Sequence, residues 1–464
     1  MTKSNLPENR LENRFPEKEP LLTKREATVE ANRCLYCVDA PCIDSCPTSI
    51  DIPEFIRRIA TENREGSAKT ILESNILGYS CAQVCPTEVL CESTCVFNEM
   101  DEEPIRIGEL QRYATEPAIE NDVQFFEAGE PTGKRVALIG AGPASLSCAH
   151  RLRRYGHETT IFEAKSYPGG LNTDGVAPYK LHAHQSLKEI DYVRQIGGID
   201  IEYNTAVGKD VTLEELEEDF DAIFIGAGLG PDNWLDIPGT DLDGVWGAVD
   251  LIAKMKVEEG YELPDDVHTA CVVGGGNTAI DVVRELRGLG VDDVMLVYRR
   301  DEASMSGYEH EWEGAKKEGA RGVWFSQPVE IVGDDHARAL RCRKMRPASD
   351  DPDDRSLELV DGSDFDIDCD LVVFAIGQSK LGELFADVDG VELDWGKIVI
   401  DAETGRTGNT KYFAGGDCVS GGKEVVDAVE EGKVAARSIH ALLTDDAEAS
   451  ADEESTETAP SPVT

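Results

Sequence analysis

Between residues 134 and 164 the chain reads KRVALIGAGPASLSCAHRLRRYGHETTIFEA: an apolar run, a glycine turn, an amphipathic stretch of helical period and a second apolar run. That order predicts strand, helix and strand, a βαβ unit. The order returns from residue 269 in TACVVGGGNTAIDVVRELRGLGVDDVMLVYRR. Two further apolar runs end in glycine, DAIFIGAGLG at 221–230 and DLVVFAIGQ at 370–378, and YFAGGDCVSGG at 412–422 leads into a helical pattern, EVVDAVEEGKVAARSIHALL. The pattern predicts an α/β protein with two dinucleotide-binding units of similar design. A linker rich in Glu, Gly and Pro around 121–134 separates them from the N-terminal part, and beyond residue 444 the composition collapses to Asp, Glu, Ala, Ser, Thr and Pro with a single valine and no basic residue. So polar a tail cannot repay its ordering entropy and is expected to be disordered.

A chain of 464 residues exceeds one ordinary core and predicts two or three domains. No apolar run approaches the ~20 residues that cross a bilayer, and the first twenty residues lack the apolar segment of a secretory signal. The expectation is a cytoplasmic protein that does not span a membrane. Its 45 Lys and Arg stand against 91 Asp and Glu, a net charge of −46, which repels a nucleic-acid backbone. Acids spread over the whole chain match the surfaces of proteins from salt-loving organisms, where a Debye length of about 3 Å in molar salt screens self-repulsion.

Eight of the 13 cysteines lie between Cys34 and Cys95, which marks a separate module. Cys34, Cys37, Cys42 and Cys46 follow C-x2-C-x4-C-x3-C-P, and Cys81, Cys85, Cys91 and Cys95 follow C-x3-C-P-x5-C-x3-C. Such spacings suit two 4Fe-4S clusters, whose irons take soft thiolate ligands from a short loop and one from farther away. By ferredoxin logic the cysteine before proline, Cys46, serves the other cluster. The alternatives are a disulfide cage, disfavoured in a cytoplasmic chain, and zinc, which normally takes paired C-x2-4-C knuckles without the trailing proline.

In the first βαβ unit Gly140 permits the tight turn, Gly142 lets a pyrophosphate approach the backbone, and Ser145 stands where a third glycine would allow close packing. Glu163 closes the second strand, where an acid accepts hydrogen bonds from ribose hydroxyls. The second unit has Gly274, Gly276 and Ala279 but ends its strand in Tyr298, Arg299 and Arg300. Two guanidiniums can clamp a 2′-phosphate that a carboxylate would repel, so this site is expected to prefer NADP(H). No cysteine pair near either motif supports a thiol–disulfide relay, no H-E-x-x-H or G-x-S-x-G occurs, and His182 and His184 alternate as on one strand face.

The order of cysteine module, FAD-type motif, NADPH-type motif and final GGD segment resembles the family of the glutamate synthase small subunit and the N-terminal half of dihydropyrimidine dehydrogenase, over about residues 25–442. SCAQVCPTEVLCESTC with PIRIGELQRYATE looks closest to the pyrimidine branch, whereas RRDEASMSG at 299–307 looks more like glutamate synthase. The resemblance implies an α-helical iron–sulfur domain at 1–125, an FAD-binding domain at 131–248 and 363–442, and an NADPH-binding domain at 249–362 inserted in it; the composition adds a disordered acidic tail at 443–464. It implies one cluster on Cys34, Cys37, Cys42 and Cys95 and another on Cys46, Cys85, Cys91 and Gln111, with Cys81 a spare thiol; spacing alone would nominate Cys81. It places FAD on Gly140, Ala141, Gly142, Pro143, Ala144, Glu163, Gly170, Leu171, Gly416, Asp417 and Val425, with Asp417 on the ribityl chain. NADP falls on Gly275, Asn277 and Thr278 beside Gly274 and Gly276, on Arg299 and Arg300, and on Ala375, Ile376 and Gly377.

The implied activity is an electron-input subunit that moves electrons from NADPH through FAD and two clusters to a partner. The partner is an FMN barrel reducing pyrimidines or a glutamate synthase large subunit; a soluble ferredoxin-type acceptor and a non-catalytic redox sensor are the competing readings. Hydride transfer needs alignment more than a side-chain acid, so no general acid or base is nominated.

Overall fold

The computed structural model describes residues 6–349 and 356–444. The expected acidic tail lies outside them, apart from its first two residues, which end the helix Val425–Thr444.

The N-terminal module is helical because its apolar positions recur at helical spacing behind good caps. In Ile52–Ala60 the residues Ile52, Phe55, Ile56 and Ile59 face inward, with Asp51 accepting from Glu54 N at the start. Thr23 and Glu26 form a capping box ahead of Lys24–Ala31. The helix Ile107–Glu120 contains Pro117, which cannot bond the carbonyl four residues back. Arg64 Nε satisfies that Tyr113 oxygen at 2.7 Å.

Two parallel five-stranded sheets follow, their central strands buried as continuous apolar runs. The first runs Tyr412–Ala414, Ala222–Ile225, Arg135–Ile139, Glu158–Glu163, Ile199–Tyr203. The second runs Val245–Gly247, Leu371–Phe374, Thr269–Val273, Asp293–Val297, Arg321–Val323. Leu229–Asp232 and Gln378–Lys380 pair antiparallel where the chain leaves the first sheet's domain and returns, so the second unit is inserted in the first. The limits expected at 249 and 362 therefore move outward. Strands Val245–Gly247 and Leu371–Phe374 belong to the inserted unit, because two apolar runs ending in glycine read alike and only long-range pairing separates them.

Three other expectations change. Leu11 and Phe15, assigned to residues 1–125, are buried in the core of the inserted unit with Leu251 and Val283. His182 and His184 do not share a strand; His182 is the N-cap of the helix Ala183–Arg194 and His184 lies in its first turn. An antiparallel sheet of Ser326–Gly333, Ala337–Pro347, Leu357–Leu359 and Phe365–Asp368 was not foreseen. Its exposed face is laced by Arg341–Asp366 and Arg343–Asp364 ion pairs, which hide the strand alternation among charges.

Close backbone approach joins the first sheet to its helices. Ser145, in the third-glycine position, packs against Gly226, where a Cβ would meet Ser145 Oγ at 2.2 Å, so the missing glycine is compensated across the contact. The helix Val425–Thr444 crosses Pro143–Arg154 at Gly432, where a Cβ would meet the Ala144 carbonyl at 2.1 Å. Gly432→Ala is expected to lose about 1–3 kcal/mol by forcing the helices apart, measured by denaturant unfolding.

Candidate functional site

The structure gathers the module's cysteines into two groups. Cys34, Cys37, Cys42 and Cys95 line one cavity, walled by Ile52, Ile56 and Phe97. Cys46, Cys81, Cys85, Cys91 and Gln111 line a second. All 13 cysteines are free thiols. Burial pushes the thiols of Cys34, Cys42 and Cys91 up, Cys42 to about 12, with neighbouring cysteines adding to the effect. Cys85 rises through a hydrogen bond with Cys81 and then through burial. Such thiols stay protonated until a metal supplies the charge that holds thiolates. Among the described residues no three His, Cys, Asp or Glu side chains are grouped so as to hold a single metal ion. Gln111 is buried, and its Nε2 donates to the Gly78 carbonyl at 2.7 Å, which fixes the orientation of the amide.

A cleft of about 530 Å³ lies beside the first glycine turn, within the usual range for cofactor sites. Gly140, Ala141, Gly142, Pro143, Ala144, Glu163, Gly170, Leu171, Gly416, Asp417 and Val425 all line it. Gly140 has φ +86°, and a Cβ there would strike the Gly226 carbonyl at 2.7 Å. Gly142 has ordinary backbone angles, and a Cβ on it would meet nothing, so its bare backbone leaves open space for a ligand. The helix Pro143–Arg154 has no side-chain cap, which keeps its first N–H groups free for a pyrophosphate. Glu163 is buried and accepts from Ala141 N and Lys165 N, both at 2.8 Å; burial pushes its carboxyl up against the pull of these donors. Asp417 accepts from Lys423 N at 3.2 Å, and burial raises its carboxyl too. Shape, uncapped helix end and buried acceptors fit a flavin dinucleotide.

The second glycine turn sits beside that cleft, which Asn277 and Thr278 line; Gly274, Gly275, Gly276, Arg299, Arg300, Ala375, Ile376 and Gly377 do not line it. Of these, Ala375 packs against the turn itself. A Cβ on Gly274 would meet the Ala375 carbonyl at 2.3 Å, and one on Gly275 would meet the Tyr298 ring at 2.6 Å. The loop after Arg300 folds back, with Ser306 N and Gly307 N donating to the Gly275 carbonyl at 3.0 and 2.9 Å. The helix Asn277–Gly288 also begins without a side-chain cap. Arg299 is exposed and Arg300 half-buried, and among the described residues neither side chain has an ion-pair partner, notable in a chain with twice as many acids as bases.

Sequence reading missed the residues that close the cleft. Lys180 lines it and pairs with Asp281 at 2.8 Å and Glu311 at 2.7 Å; Tyr308 OH donates to Glu424 at 2.7 Å across the two nucleotide units. Val84 and Pro86 reach the cleft from the cysteine module, one on each side of Cys85, while Val425 faces the cleft and Val426 the second cysteine cavity. No local pattern marks these residues, because tertiary packing alone makes them neighbours.

Residues 10–123 match the family described as dihydropyrimidine dehydrogenase domain II, 4Fe-4S cluster, and residues 134–432 match pyridine nucleotide-disulphide oxidoreductase. The chain is 33% identical over 433 residues to the NAD-dependent dihydropyrimidine dehydrogenase subunit PreT of Escherichia coli, covering 93% of this chain and 98% of that one. It is 34% identical over 431 residues to the glutamate synthase (NADPH) small chain of the same organism, covering 89% and 91%. It is also 35% identical over 431 residues to the E. coli protein AegA, of which it spans 65%. Among solved structures, Mycobacterium tuberculosis FprA in complex with NADPH aligns with a TM-score of 0.56 at 19% identity, over 72% of this chain and 88% of that one. T. acidophilum thioredoxin reductase aligns with a TM-score of 0.52 at 20% identity, over 66% and 97%. At those identities the likeness concerns the fold.

Gly142→Leu is expected to keep wild-type circular dichroism while the purified protein loses most of its flavin absorbance; full retention of flavin would place the dinucleotide elsewhere.

Proposed function

Because this chain belongs to the pyridine nucleotide-disulphide oxidoreductase family and carries a 4Fe-4S domain ahead of it, we propose that it is the electron-input subunit of a dihydropyrimidine dehydrogenase-type enzyme. It takes electrons from NADPH and passes them through FAD and two 4Fe-4S clusters to a partner subunit. One observation carries this reading: a single cleft is lined by the first glycine turn, by Asn277 and Thr278 of the second unit, and by Val84 and Pro86 on either side of Cys85. Bound there, a flavin supplies the conversion between a two-electron donor and one-electron acceptors.

The chain's own residues bind and orient. The first amides of Pro143–Arg154 receive the flavin pyrophosphate, Glu163 the ribose and Asp417 the ribityl chain. The amides opening Asn277–Gly288 receive the nicotinamide dinucleotide, with Ala375 against the turn, Ile376 and Gly377 following it, and Arg299 and Arg300 on the 2′-phosphate. One cluster takes Cys34, Cys37, Cys42 and Cys95; the other takes Cys46, Cys85, Cys91 and Gln111, leaving Cys81 as a spare thiol.

The second reading is a glutamate synthase small subunit, favoured by the 34% identity to that chain and by the arginine pair, since the pyrimidine relative is named NAD-dependent. Anaerobic purification at high salt separates the readings: an FMN-containing partner supports the first, a large amidotransferase-bearing partner the second, and a lone chain an oxidoreductase with a diffusible acceptor.

Gln111→Ala is expected to remove one cluster signal in electron paramagnetic resonance and lower iron content, while Cys81→Ala leaves both intact; the reverse pattern makes Cys81 the ligand. Replacing Arg299 and Arg300 by Ala is expected to raise the KM for NADPH about tenfold or more, as loss of charge-assisted bonds does, with NADH kinetics unchanged. Equal effects on both cofactors refute the clamp.

A further inference from the structure

Glu189 lies in the helix Ala183–Arg194 of the flavin domain, fully buried, and its carboxylate crosses into the cysteine module. It accepts from Tyr79 N at 2.8 Å, from Ser80 N at 3.1 Å and from Ser80 Oγ. Those donors form the opening turn of the helix Gly78–Val84, which has no side-chain cap of its own. A buried carboxylate is costly unless its oxygens are satisfied, and here the donors that offset the cost all come from one short element. An apolar side chain of the same size would fill the space without a directional grip.

Both ends of that element bear on electron flow. At its start Ser80 Oγ also accepts from Asn172 Nδ2 at 2.9 Å, and Asn172 is part of the cleft wall; from the other side Gln111 holds the Gly78 carbonyl. At its end Val84 and Pro86 form cleft wall while Cys85 faces the second cysteine cavity. Seven residues of helix make a rod about 10 Å long, short enough to move as one piece. Shifting its first turn therefore shifts Cys85 relative to the cleft.

We propose that Glu189 is the positioning residue for electron transfer from the flavin cleft to the second cysteine cavity, clamping the helix Gly78–Val84 so that Cys85 stands at a fixed distance from the cleft. The inference rests on the electron-input reading. It assigns Glu189 no contact with cofactor or substrate; the residue acts through the helix it holds.

Glu189→Gln keeps the shape but turns one acceptor oxygen into an N–H2 group facing N–H donors. In the purified holoprotein mixed with NADPH under anaerobic stopped flow, bleaching of flavin absorbance is expected at the wild-type rate, while reduction of the iron–sulfur chromophore slows about tenfold or more, as small misplacements of reacting groups do. Amide hydrogen exchange at Tyr79 and Ser80 is expected to rise, with the helix Pro143–Arg154 unchanged. Where Glu189→Gln does not fold, Ser80→Ala, which removes only the hydroxyl links, is expected to give the same split with a smaller loss. Unchanged rates, or both rates slowed by one factor, overturn the positioning role. A wild-type protein whose iron is never reduced after its flavin overturns the electron-input reading itself.

Discussion

A phosphate approaching a chain with net charge −46 meets about twice as many acidic as basic side chains, so a pyrophosphate site here depends chiefly on backbone. The helices Pro143–Arg154 and Asn277–Gly288 meet that constraint in the same way. Each starts at a glycine, carries no side-chain cap, and presents N–H groups and the positive end of its peptide dipoles. Neither works unless backbone can touch backbone nearby: Gly140 lies against the Gly226 carbonyl, Gly274 against the Ala375 carbonyl, and Gly432 against the Ala144 carbonyl. The parallel sheets are the frames that bring these bare segments together.

The same charge balance bears on the arginines at the second nucleotide turn. Several arginines of the inserted unit pair with neighbouring acids, as in Arg284–Glu318 and Arg321–Asp293, whereas Arg299 and Arg300, beyond the end of the strand Asp293–Val297, have no ion-pair partner among the described residues. Inside the cleft the same excess of acid persists. Lys180 faces Asp281 and Glu311 together, and Tyr308 bonds Glu424, so the inner wall carries more acid than base and is held by contacts between elements of different domains.

What could be read from the sequence was local. The cysteine spacings, the glycine turns and the acid or arginine closing each second strand all lie within short windows, and the structure brings those windows together: the first cavity is lined by Cys34, Cys37, Cys42 and distant Cys95, the second by Cys46 with Cys85 and Cys91. What could not be read depends on pairing across the chain. Nothing in DLVVFAIGQ says that Leu371–Phe374 pairs with Thr269–Val273, and nothing in the first twenty residues says that Leu11 and Phe15 enter the core of the inserted unit. Val84 and Pro86 flank a predicted ligand, but their approach to the cleft follows from how Glu189 and Lys433, which donates to the Ser74 carbonyl at 2.9 Å, seat the module. His182 shows the opposite failure, in which a period-two pattern two residues long was too short to distinguish a strand from a helix cap.

The antiparallel ribbon between Leu229–Asp232 and Gln378–Lys380 bears on the order in which the molecule comes into being. The strand Tyr412–Ala414 completes the first sheet beside Ala222–Ile225, and the residues that follow it, Gly416, Asp417 and Val425, form one wall of the cleft. Everything between those paired strands is the inserted unit, with its own parallel sheet and core. During synthesis the inserted unit is finished while the flavin domain still lacks an edge strand and a wall, since non-local pairings wait for the chain that supplies them. Flavin is thus the last nucleotide this protein becomes able to hold, since its cleft gains a wall only once synthesis has passed Val425.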